Sequence, residues 1–296
     1  MLQNLPLAAV SVEAKSLKFG HWLTNSVLVG AFVVLLITWF VRRGMKDATL
    51  IPNKKQNVCE FLVEFLYNQV EGIVGKKVAP KAFPLLATLF IFIVVSNWFG
   101  LIPGVGTIGW DSHHTSYLTA QHIDTPLLRP ATADLNMTLA MALCAFFVWV
   151  WITLNELGEH ETHGKGGLVK RLLFGVWGFI KHTFAPKGGL KGPIAIPLFF
   201  VFLMVGVIEL VSIVFRPVSL SLRLFGNIFA GETLLHTMMT LGGYLGLGPV
   251  GAFISSVLMP IPFYFMEILV GALQAIVFTL LCAVYIKLST THEEEH

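Results

Sequence analysis

Charge is scarce in this chain. Only 12% of its 296 residues are Asp, Glu, Lys or Arg, about half the share of an ordinary soluble domain. Cysteine is scarce as well. Cys59, Cys144 and Cys282 are widely spaced and odd in number, so they supply neither a disulfide framework nor a metal-ligand spacing and read as apolar filler. No glycine-rich phosphate loop of the Walker type occurs, which removes the expectation of a nucleotide site. There is no repeat of fixed period and no low-complexity tract. Residues 1–20 lack a basic n-region and a small-residue cleavage site; they read as an outer N-terminal segment, not a signal peptide. His113, His114 and His122 with Asp111 and Asp124 match no standard metal spacing and read as a solvated outer loop. Glu159–His163 and the His292–His296 tail read the same way. No metal, cofactor or nucleic-acid partner is expected.

What is abundant is apolar. Hydrophobic residues make up 55% of the chain, and the mean hydropathy is +0.75. That composition predicts an all-α integral membrane protein forming a single membrane domain over 1–296, with about five crossings. The first span is expected over 21–41, the second over 83–103 and the third over 134–157. Between the first two, 57–75 repeats Val58, Phe61, Leu62, Phe65, Leu66, Val70 and Ile73 at helical spacing. Asn57, Glu60, Glu64, Asn68 and Glu71 fill the opposite face. This is an amphipathic surface helix. Residues 158–192 form a basic loop holding one apolar piece, Leu172–Ile180, too short to cross a bilayer. The last two segments, 193–241 and 251–288, are joined by Gly246-Leu247-Gly248-Pro249.

The basic residues orient the spans. Arg42–Lys55, Lys76–Lys81 and Lys165–Lys191 are rich in Lys and Arg, so they are expected on the cytoplasmic side. The N-terminus is then outside and Glu293-Glu294-Glu295 inside. The final two segments are anomalously long. Forty-odd helical residues reach about 60 Å, twice the roughly 30 Å hydrocarbon thickness. A single helix bent near Pro217 is more economical than two spans. A long tilted hairpin suits wrapping around another curved body.

Within that hairpin lies Arg223, in Ser219-Leu220-Ser221-Leu222-Arg223-Leu224-Phe225-Gly226-Asn227. A guanidinium cannot lose its proton, and one at mid-bilayer costs at least about 2.5–3.5 kcal/mol. In an antiparallel hairpin turning at Gly248-Pro249, Arg223 falls level with Gln274, and Glu232 level with Glu267. The glutamate pair is about 13 Å nearer the outside, and Glu209 about 21 Å nearer the cytoplasm. Carboxylates above and below a fixed cation suit proton handling, and Asn227 and Gln274 can orient the cation and local water. No carboxylate stands at the level of Arg223, so its partner is expected on another subunit. Gly226, Ala230, Gly271 and Ala275 keep the surface low enough for close approach. Competing readings pair Glu232 with His236 and Glu209 with Lys287. They treat Glu267 as a structural hydrogen-bonding residue, Arg216 as a packing cation, and Asp134 with Asn136 as a helix cap.

The run Arg216-Pro217-Val218-Ser219 through Gly231-Glu232 resembles the signature of subunit a of F-type ATP synthases. Ala272–Phe278 resembles that family's last-helix motif. Pro130–Asn136, Asn97–Pro103 and Glu209-Leu210-Val211-Ser212 are similar to it as well, and the likeness extends from about Phe61 to the C-terminus. The resemblance implies a stator in a bacterial inner membrane, with no catalytic site of its own, serving proton-driven ATP synthesis. It implies as partners a rotating c-subunit ring bearing the essential carboxylate, the peripheral-stalk b subunits and the rest of the synthase, all in a lipid bilayer. By that resemblance Arg223 separates two proton half-channels, with Gln274 its neighbour. Glu232 and Glu267 belong to the outer route and Glu209 to the inner one, and Asn227, His236, Ser219 and Asp134 are further residues expected to serve proton translocation. Glu267 departs from the histidine common in bacterial relatives. The alternative is a self-contained proton-coupled transporter, which would need its own substrate site and a carboxylate near Arg223.

Overall fold

The computed structural model describes residues 24–46, 48–49, 52–102, 105, 109–110, 125–126, 128–161, 167–184, 195–246 and 248–290. His113, His114 and His122, Asp111 and Asp124, Thr162 and His163, the N-terminal segment and the acidic tail lie outside these.

Eight helices account for nearly all described residues. They are α1 (Asn25–Gly44), α2 (Lys54–Val74), α3 (Ala79–Gly100), α4 (Leu135–Glu161), α5 (Leu168–Phe184), α6 (Ala195–Tyr244), α7 (Gly248–Leu258) and α8 (Pro260–Thr290). A 3-10 turn over Ala131–Ala133 precedes α4. Gly109–Trp110 and Thr125–Pro126 form a short antiparallel pair, β1 and β2. The fold is all-α, as expected. Among the described residues five stretches are long and apolar enough to cross a membrane: Asn25–Gly44, Ala79–Gly100, Leu135–Glu159, Phe200–Met239 and Val250–Ser289. They correspond to the five spans read from the sequence.

The helix ends follow from local chemistry. Thr24 caps α1, its hydroxyl accepting from the Val27 amide, and Arg42 and Arg43 sit in the last turn, where cations complement the helix dipole. Gly75, at φ 85°, ends α2 in the left-handed conformation that glycine adopts without penalty. Gly246 and Gly248, at φ 66° and 72°, make the hairpin turn. α6 is one helix of 50 residues and runs through Pro217. The second arm is one apolar stretch over Val250–Ser289, with a one-residue interruption at Met259 between the end of α7 at Leu258 and the start of α8 at Pro260. Pro260 and Pro262 together remove two backbone donors, while Pro217 removes one.

The chain divides into two compact units. The first contains the described residues within 1–65, 87–141 and 221–279. Val29, Val33, Ile93, Ala131, Leu224, Ala275 and Phe278 fill its interior. Asn97 ties three elements here: its amide donates to the Gly271 carbonyl at 3.0 Å, and its oxygen accepts from the Thr132 hydroxyl at 2.7 Å. Trp98 donates to the Ile268 carbonyl at 3.1 Å, and the Thr138 and Ser221 hydroxyls are 3.1 Å apart.

The second unit contains the described residues within 66–86, 142–220 and 280–296. Trp149 donates to the Tyr285 carbonyl at 2.9 Å, and Thr153 and Ser289 share a hydroxyl hydrogen bond at 2.8 Å. Buried Glu156 is held between Lys77 and Lys81. The Leu172–Ile180 piece proves to be the middle of α5. α5 crosses α4 at backbone contact: a Cβ on Gly158 would overlap the Arg171 carbonyl, and one on Gly175 the Leu154 carbonyl.

Candidate functional site

In the first unit, α6 leaves one stripe uncovered. Leu222, Arg223, Gly226, Asn227 and Ala230 form this exposed stripe, and Ser219, in the second unit, is exposed as well. The spacing of three and four residues puts these on one helical face. Gly226 and Ala230 keep the surface low around the guanidinium, and a Cβ on Gly226 would meet open space. Leu220, Ser221, Leu224 and Ile228 are buried on the other side, so packing fixes which way Arg223 points. Among the described residues Arg223 makes no hydrogen bond or ion pair.

Gln274 is buried on α8. Its oxygen accepts from Asn227 Nδ2 at 2.8 Å. The antiparallel register is therefore real, but the hydrogen bond to Gln274 comes from Asn227, one turn beyond Arg223.

Nearer the hairpin turn the two glutamates take different surroundings. Glu232 Oε2 accepts from Arg129 Nη2 at 3.3 Å. The Arg129 side chain is 3% exposed and that of Glu232 27%. The ion pair of Glu232 is with Arg129, not with His236, which is half-buried one turn further along α6. Glu267 is buried at 6% exposure and, among the described residues, makes no hydrogen bond or ion pair. Its carboxylate lies against Gly231: a Cβ there would overlap all three carboxylate atoms. Asp134 is buried and caps α4, its Oδ1 accepting from the Asn136 amide at 3.1 Å, as the cap reading expected.

Glu209 and Arg216 belong to the second unit. Glu209 is exposed on α6, and among the described residues the ion pairs that form are Lys77–Glu156, Lys81–Glu156 and Arg129–Glu232. Arg216 packs as a cation between aromatic faces, 5.4 Å from the Trp149 ring and 4.8 Å from that of Tyr285. It lines a small, mostly apolar cavity with Cys282 and Leu86.

Arg129 is the residue that sequence reasoning passed over. Its signal was its isolation, as the sole Lys or Arg between Gly104 and Ala133. Glu156 was missed too, although Lys77 and Lys81 were noted. Among the described residues no group of three or more metal-ligating side chains occurs.

Comparison with known proteins adds an independent line. A family model described as ATP synthase A chain matches residues 24–287. An ATP synthase subunit a of Mycobacterium ulcerans (strain Agy99) is 30% identical, covering 98% of each chain. That of Aliivibrio fischeri (strain MJ11) is 30% identical over 99% of this chain and 93% of its own. The Protochlamydia amoebophila (strain UWE25) subunit a is 30% identical over 92% and 82%.

Proposed function

Because this chain belongs to the ATP synthase A chain family, we propose that it is the membrane stator that hands protons to a rotating ring of c subunits through two offset half-channels. One observation carries this reading. Arg223 stands in an uncovered stripe beside Gly226 and Ala230 and makes no hydrogen bond or ion pair among the described residues, although a permanent cation in an apolar segment needs a counter-charge. The stripe fits a passing surface that brings its own carboxylate.

On this reading Arg223 is a barrier. A guanidinium cannot relay a proton, so protons cannot run straight through and must travel on the ring carboxylate. Asn227 and Gln274 hold the polar floor beside it. Glu232, Glu267, His236 and Asp134 serve the outer route, and Ser219 and Glu209 stand on the side leading inward. The N-terminus is outside, the C-terminus is cytoplasmic, and peripheral-stalk b subunits are further partners. Each charge crossing a 100 mV potential releases about 2.3 kcal/mol.

The test is Arg223→Ala in the assembled synthase, with Glu267→Gln and Glu209→Gln for comparison. Coupled ATP synthesis is expected to vanish in the first, and proton uptake from the outside to slow more with Glu267→Gln than with Glu209→Gln. Normal synthesis in Arg223→Ala membranes would sink the proposal.

A further inference from the structure

Helix α5 is not absorbed by this account. It is 17 residues long, about 26 Å, and too short to span. One side is committed to protein: Gly175 and Gly178 are buried, and the backbone contacts of Gly158 and Gly175 lock α5 onto α4. The other side is uncovered. Leu173, Val176, Trp177 and Ile180 are 66%, 44%, 64% and 47% exposed and fall within a helical arc of roughly 100°. Lys170 and Lys181 lie along one edge of that arc by helical position, with Phe174 beyond them, and Lys170 is 5.9 Å from the Phe174 ring.

The charge pattern says what kind of surface this face meets. From Thr162 to Ile208 the chain has six Lys or Arg and no Asp or Glu. An aromatic and aliphatic stripe edged by lysines is the pattern of a helix lying in the headgroup layer. A segment of one charge sign selects the opposite sign, and each Lys or Arg near an anionic leaflet strengthens binding several-fold. A soluble acidic protein would meet the lysines but would not need Trp177 and Leu173 held outward.

We infer that α5 is an interfacial anchor that docks this chain onto anionic phospholipid. Its α4 side is rigidly held, so the face presents to lipid as a fixed plane and not as a free tail. The inference does not depend on the half-channel assignments.

The experiment uses the assembled complex carrying L173C with Cys144→Ser, nitroxide-labelled at position 173. The complex is placed in vesicles of phosphatidylcholine alone, or with about one quarter phosphatidylglycerol. Relaxation by oxygen and by a soluble nickel chelate reports burial in lipid. The oxygen-to-nickel ratio is expected to rise about twofold with phosphatidylglycerol, and K170Q/K181Q is expected to abolish that rise. Three results would overturn the inference: a label open to nickel in both lipids, a ratio indifferent to headgroup charge, or a label shielded from both agents by a protein neighbour. Unchanged ATPase content of the membranes would certify that the variants assemble.

Discussion

Arg129 and Glu232 are 103 positions apart in sequence, yet their side chains meet at 3.3 Å. The guanidinium is almost fully withdrawn from solvent, so removing it leaves a largely buried carboxylate without its counter-ion. We expect Arg129→Gln to destabilise the chain by about 3 kcal/mol and to slow proton flux, with Arg129→Lys recovering part of both. Thermal unfolding of the purified complex and proton pumping in vesicles would check it. Unchanged values would remove the pair from any role.

Gly231→Ala should act differently. The added methyl meets the tip of Glu267 and not backbone, so the side chain can swing away and stability should change little. The carboxylate is then misplaced, and we expect ATP synthesis to fall by roughly tenfold or more. A normal rate with a normal melting curve would show that the position of Glu267 is unimportant.

Asn227→Leu removes the donor to buried Gln274. Leaving such an acceptor unsatisfied costs roughly 1–3 kcal/mol. The double variant Asn227→Leu/Gln274→Leu should recover most of that stability, because both halves of the hydrogen bond are gone. Additive losses would mean that the two amides act independently.

Gly175→Ala places a methyl on the Leu154 carbonyl, where only backbone can yield. A penalty of about 1–3 kcal/mol is expected, read as faster hydrogen exchange in α5. Gly72→Ala is the control: its methyl meets nothing within 4 Å, and a helical alanine should stabilise α2 by up to about 1 kcal/mol.

The spans were legible because hydrophobic length is a local property, and the turn was legible because Gly246 and Gly248 advertise positive φ. The antiparallel register followed from that turn alone. Arg223 announced itself as a charge in an apolar run. What stayed hidden was pairing across distance. Arg129 looked like a lone loop residue until the 3-10 turn and α6 came together. Nothing in the sequence marked Gly231, whose space is filled by the Glu267 carboxylate. The break before Pro260 was written in two nearby prolines, yet it was masked by an otherwise unbroken apolar run. Lys77 and Lys81 were read for their side of the membrane, and Glu156 gave them a packing role as well.

The space shared by Gly231 and Glu267 also sets an order on how this sequence can change over time. Position 231 can enlarge while a full-length glutamate occupies 267 only by displacing the carboxylate, because the methyl and the carboxylate claim the same volume. A lineage that first shortens 267, to aspartate for instance, opens room for alanine at 231. The reverse order passes through a displaced carboxylate. The first of those steps therefore gates the second, and the two positions must drift as a couple with a preferred direction.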